Sequence, residues 1–150
     1  MTDPAIAVVR HVMPAPPAMV YDAWLDPHSL AEWMCPRPAR PTTITCDPRV
    51  GGAYRFDVED TETTLTITGR YLHLDPPRRI AFTWYCSVWG PGVPDSIVTV
   101  SFEPHGHNET LMTIEHAQLR PDLVDRHRNG WSRIAEQLTA ILGRAFEGRA

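Results

Sequence analysis

The sequence predicts an α+β fold, in which a curved antiparallel sheet of six or seven strands receives one long C-terminal helix, with two short helices after the first strand. Three observations predict it. Near the C-terminus, Trp131, Ile134, Ala135, Leu138, Ile141, Leu142, Ala145 and Phe146 recur at spacings of three and four, which sets them on one helical stripe. Upstream, apolar and polar residues alternate in short runs rich in Val, Ile, Thr, Tyr and Phe, the period of half-buried strands. Between those runs stand turn-forming pairs such as Gly51-Gly52 and Pro76-Pro77. A helix from about Asn129 to Phe146 is roughly 25 Å long at about 1.5 Å per residue. It is not stable alone, so its stripe requires a broad apolar receiver, which the strands supply.

The elements follow in order. Ala5 to Met13 alternates as a first strand, ended by Pro14, Pro16 and Pro17. Ala18 to Leu25 reads as a short helix with Met19, Val20, Ala23 and Trp24 inward. Asp26-Pro27, a cap followed by a first-turn proline, opens a second through Trp33. Pro36, Pro38 and Pro41 make an extended loop. Thr42 to Cys46 is a strand, Arg49 to Gly52 a tight turn, and Ala53 to Val58 a strand with Tyr54, Phe56 and Val58 on one face. Glu59 to Glu62 is a solvated hairpin tip. Thr64 to Leu74 is a longer strand closed by Asp75-Pro76-Pro77, and Arg79 to Cys86 puts Ile80, Phe82 and Trp84 on one face. Trp89 to Asp95, with two Gly and two Pro, is a loop fit to border a pocket. Ser96 to Glu103 carries Val98, Val100 and Phe102 as a set. His105 to Asn108 turns into the last strand, Glu109 to Ala117.

The 150 residues suit one domain spanning the whole chain, large enough to bury about 70% of the unfolded surface. A net charge of −4 argues against nucleic acid or an anionic membrane as main partner. All 14 basic side chains are Arg, the mark of GC-rich coding rather than of recognition. No apolar run approaches the roughly 18 residues of a membrane span, and Met-Thr-Asp-Pro-Ala does not read as a signal peptide, so a cytoplasmic protein is expected. Cys35, Cys46 and Cys86 are odd in number and form no C-x-x-C pair, which argues against a zinc or disulfide framework. Cys46 and Cys86 are expected in the core and Cys35 partly exposed. Neither a metal nor a cofactor is expected, and no phosphate loop, dinucleotide fingerprint or nucleophile elbow is present.

Several stretches then carry a family resemblance. They are Pro16-Pro17 with Val20-Tyr21-Asp22-Ala23-Trp24, Asp26-Pro27, Leu30 to Trp33, Arg49-Val50-Gly51-Gly52-Ala53-Tyr54-Arg55-Phe56, and Gly69-Arg70-Tyr71. Thr83-Trp84, Val98-Thr99-Val100, Thr110-Leu111, His116 and Gly130-Trp131 continue the pattern through nearly the whole chain. In these the chain resembles the START-like or SRPBCC superfamily and, within it, the homologues of the activator of heat-shock-protein-90 ATPase. The resemblance implies a helix-grip fold with a cavity between sheet and C-terminal helix. The superfamily includes lipid and hormone carriers, polyketide cyclases and the chaperone activator itself, and its bacterial single-domain members look like small-molecule binders. A small hydrophobic, aromatic or lipid-like ligand is the expected partner, and a homodimer through strand edges or loops is open. A chaperone-associated interaction module is the alternative; the additional N-terminal domain of the eukaryotic co-chaperone is expected to be missing, a departure from the family pattern that counts against ATPase stimulation. A cyclase- or hydrolase-like enzyme in the same cavity is the other.

The candidate ligand-binding residues are Trp33, Tyr54, Phe56, Phe82, Trp84, Phe102, His116 and Trp131. Large aromatics with few polar groups suit a small apolar ligand, against the opposing expectation of a fully packed core. His116, at the end of the last strand, is the one acid–base candidate, and no catalytic residue is assigned. Glu115 should face away from it. Arg49, Arg55 and Arg70 have the chemistry to hold a carboxylate, though Arg55 and Arg70 read as outer-face residues. His105 and His107 are expected exposed. Asp125 and His127 read as helix-start surface, with a pocket gate as the other reading.

Overall fold

Buried and exposed side chains alternate strand by strand, and this alternation builds the sheet. The computed structural model describes residues 5–147, with side chains through residue 144. In chain order it holds β1 (Ala5–Met13), α1 (Pro17–Ala23), α2 (Pro27–Trp33), β2 (Arg40–Cys46), β3 (Ala53–Glu59), β4 (Thr64–Asp75) and β5 (Arg79–Cys86). A 3-10 turn (Ser87–Trp89), β6 (Ser96–His105), β7 (Glu109–Leu119), a second 3-10 turn (Pro121–Leu123) and α3 (Val124–Glu147) complete it. The sheet has seven strands in the order β1-β7-β6-β5-β4-β3-β2, every neighbouring pair antiparallel. It curves around α3, the helix-grip arrangement that the resemblance implied.

The inner face reads directly from the pattern. Val98, Val100 and Phe102 on β6 and Met112, Ile114 and His116 on β7 are all buried, with Val98 directly opposite His116. Pro41 is tolerated inside β2 because that strand is an edge, where a missing N–H costs no ladder bond. Asp26 caps α2 as its sequence suggests, accepting the His28 N–H at 3.0 Å. Gly51 has φ +84°, which a residue with a Cβ rarely adopts, whereas Gly52 is required by closeness: a Cβ there would press on the Asp47 and Arg49 carbonyls.

α3 starts five residues before the expected Asn129. The Pro121–Leu123 turn feeds it directly, Asp125 sits in its first turn where the helix dipole favours an acid, and Arg128 pairs with Asp125 at 2.7 Å. Its inward stripe is Trp131, Ile134, Ala135, Leu138 and Leu142, all buried, while the Ala145 and Phe146 side chains lie outside the described residues. α3 packs on β1, β7 and α2. Among the described residues, Trp24 Nε1 is the one buried side-chain polar atom without a partner, so the interior is otherwise satisfied.

Candidate functional site

A chain of four polar groups crosses the interior beside α3. The Trp131 indole N–H donates to His116 Nδ1 at 3.0 Å. An indole nitrogen only donates, so His116 Nδ1 is an acceptor and the ring proton sits on Nε2. That proton is donated to Ser96 Oγ at 2.7 Å, and the Ser96 hydroxyl in turn donates to the Trp84 carbonyl at 2.8 Å. His116 is fully buried, and burial, aided by neighbouring His127, pushes its pKa down to about 3. Neutral His116 thus links α3 to β5 and β6, and both of its ring nitrogens are occupied. Trp131 and Trp84, at the two ends of this relay, lie with ring centroids 5.1 Å apart.

Those two indoles form one wall of a cavity of about 330 Å³. Val58 on β3, Leu65 and Ile67 on β4, and Cys86 on β5 form its floor, while Ile134 of α3 and Cys35 close the sides. The rim is Val88, Arg120 and Arg126, all exposed, together with half-buried Asp60, Trp89 and His127. Space remains there because α3 presents Gly130, where a Cβ would have Pro36 Cγ at 3.8 Å as its nearest neighbour. One turn and two turns further along, Ile134 and Leu138 fill the corresponding space with side chains.

The opposite side of the cavity is a loop held in an unusual shape. Cys35 has φ +73°, a conformation that costs a non-glycine residue about 1 kcal/mol or more. Two long side chains enforce it. Arg37 donates to the carbonyls of Met34, Cys35 and Ala39 at 3.0, 3.1 and 3.3 Å. Gln137 of α3 donates to the Trp33 and Cys35 carbonyls at 2.8 and 2.9 Å and accepts the Arg37 N–H at 3.0 Å. Cys35 is consequently buried rather than partly exposed, and burial pushes its thiol up to about 12, so it is no nucleophile at neutral pH. The Cys86 thiol is raised by burial as well.

Of the eight ligand-binding candidates, Trp84 and Trp131 line the cavity. Tyr54, Phe56 and Phe82 face inward as expected but pack on one another, with centroids 5.0 and 5.6 Å from Tyr54 to Phe56 and Phe82, around a void of only about 10 Å³. Trp33 packs against Trp24 at 4.9 Å, and Phe102 against Tyr21 at 5.7 Å. His116 stands behind the wall as the group that positions it. Arg49 pairs with Asp47 and Arg55 with Asp57, and Arg70 donates to the Gly51 carbonyl, all on the exposed side. His105, His107 and Glu115 are exposed, the last on the face opposite His116.

His127 departs from the surface reading. It lies on the first full turn of α3, half-buried, with Nδ1–H donating to the Leu123 carbonyl at 2.9 Å and its ring 4.9 Å from that of His116. In the neutral ring Nε2 is then an acceptor. Burial lowers its pKa, the Leu123 bond opposes that, and the Arg126 charge adds to it. The signal for it was present in the sequence: Leu123, His127, Gly130 and Ile134 recur at three and four, a stripe continuous with that of Trp131 once the helix is started at Val124. Among the described residues, no group of three or more His, Cys, Asp or Glu is arranged to hold a metal ion.

The profile of the family described as Activator of Hsp90 ATPase homolog 1-like protein matches residues 14–143. Among solved structures, the chain is similar to protein CV1439 from Chromobacterium violaceum, with 30% identity over 92% of this chain and 96% of that one and a TM-score of 0.78. It is similar in fold to protein NE0264 from Nitrosomonas europaea, at 20% identity over 95% and 97% with a TM-score of 0.81. The same holds for the AHSA1 (SPO3351) protein from Silicibacter pomeroyi, at 22% identity over 94% and 99% with a TM-score of 0.80. No curated protein is significantly similar to the chain.

Proposed function

We propose that this chain, which belongs to the Activator of Hsp90 ATPase homolog 1-like family, binds a small hydrophobic molecule between the β3–β5 face and the first turns of α3. The observation that carries the reading is the cavity of about 330 Å³, apolar at its floor and reaching solvent past an exposed rim. Its volume falls at the lower end of the roughly 300–1,000 Å³ usual for small-molecule sites, which suits a one- or two-ring or short acyl molecule. The relay supports it further, since the Trp131 indole, held by its hydrogen bond to His116 and packed on the Trp84 ring, meets a ligand without first losing rotamer freedom. The relay weighs against an acid–base enzyme built on His116, which has no nitrogen left for a substrate. No helix among the described residues is long and apolar enough to cross a membrane, and the reading takes the protein to act in the cytoplasm.

Titration with the neutral dye N-phenyl-1-naphthylamine tests the reading. Saturable binding of one dye per chain is expected, and Ile67→Phe, which adds bulk to the floor, should weaken it about tenfold or more while the fold melts cooperatively. Dye that fails to bind, or that binds wild type and Ile67→Phe equally, refutes the cavity as the site.

A further inference from the structure

From the rim of this cavity we infer that the natural ligand is an amphipathic monoanion, an apolar body with one carboxylate-like head that Arg126 holds at the mouth. The inference rests on the cavity reading and adds the chemistry of one end of the ligand. Three charged side chains line the site, and two of them are already engaged. Arg120 faces Asp122 at 3.4 Å, and Asp60 accepts from the backbone N–H and hydroxyl of Thr61 at 2.7 and 3.3 Å. The Arg126 guanidinium makes no ion pair or hydrogen bond with any described residue, although Asp122 and Asp125 are close by in sequence and take Arg120 and Arg128 instead. It is near enough to the interior for His127 and Cys86 both to feel its charge. A guanidinium standing unpaired over an apolar floor offers two parallel donors to a planar carboxylate.

The neighbouring groups sharpen the head-group choice. His127 is neutral, its Nδ1–H committed to the Leu123 carbonyl, so it contributes no second cation and its Nε2 accepts a hydrogen bond. One negative charge at Arg126, with a hydroxyl donor tolerated beside it at His127, matches this pattern. A phosphate-like dianion does not, because Asp60 faces the same opening. A ligand of the opposite polarity, with its charge on the floor, would bury an unpaired ion among Val58, Ile67 and Ile134.

Binding of 2-naphthoate and of its neutral isostere 2-naphthamide, measured by calorimetry at low ionic strength, separates the body from the head. Wild type should favour the carboxylate by about tenfold, a preference that shrinks with added salt. Arg126→Gln should erase the preference, weakening the carboxylate far more than the amide, whereas Arg120→Gln, whose guanidinium already faces Asp122, should keep most of it. Equal affinities in wild type, binding of the amide alone, or a preference that survives Arg126→Gln overturns the anion assignment and leaves the cavity reading standing. Failure of both compounds and of the neutral dye overturns the cavity reading and this inference together.

Discussion

Exchanging His116 for Gln replaces a titratable ring with an amide that still offers one acceptor to the Trp131 N–H and one donor to Ser96 Oγ. What disappears is the proton equilibrium. His116 is fully buried with a folded pKa of about 3, against an ordinary value of 6.5. The unfolded chain therefore binds a proton that the native state refuses at pH values between the two. Stability contributed by neutral His116 is complete above about pH 6.5 and is lost progressively as pH falls toward about 3. At about 1.36 kcal/mol per pH unit, two units of acidification below 6.5 remove about 3 kcal/mol, and the full span removes about 5 kcal/mol.

Urea denaturation of wild type and His116→Gln at pH 7 and pH 4.5 reads this directly. At pH 7 the variant should be the less stable by about 1–3 kcal/mol, because an amide satisfies the buried partners less well than the ring. At pH 4.5 that deficit should shrink by about 3 kcal/mol, so the two proteins converge or change order. His127 is present in both proteins, and its own contribution largely cancels in the difference. Two stability curves that stay parallel from pH 7 to pH 4.5 refute the neutral, doubly bonded His116 and with it the relay that fixes the cavity wall.

Two glycines should respond in opposite directions. A Cβ at Gly69 presses into the Thr83 carbonyl and to within 2.5 Å of the Tyr54 ring, so Gly69→Ala should cost about 3 kcal/mol or more on thermal or chemical unfolding. Gly130→Ala meets nothing closer than Pro36 Cγ at 3.8 Å inside a helix, and should stabilise by about 0.5–1 kcal/mol, or about 1–4 °C in Tm, while its methyl narrows the cavity and weakens dye binding.

The fold was legible because each of its signals is local. Period-two alternation over Tyr54, Phe56 and Val58 or over Val98, Val100 and Phe102 names the buried face whatever the partner strand, and Asp26-Pro27 carries its own cap. The start of α3 was harder to read, because its stripe passes there through His127 and Gly130 rather than through large apolar residues. The residues from Val124 to Arg128 are held by an ion pair and by a histidine bonded back to Leu123, neither of which an apolar period reports.

The site was half legible for a different reason. Alternation says that Tyr54, Phe82 and Trp84 point inward, but not which length of the inner face α2 and its neighbours cover. Trp24, Leu30 and Met34 come down over Tyr54 and Phe82 and close that end to a void of about 10 Å³. Trp84 lies beyond their reach, under the first turns of α3, where the helix carries a glycine. One helix thus does two jobs along its length. From Ala135 onward its buried side chains lock into the core, while His127, Gly130, Trp131 and Ile134 border the cavity. Gly130 leaves the cavity side of the helix without a side chain, which is why a single methyl there should raise stability and lower binding, a trade not expected of a fully packed core.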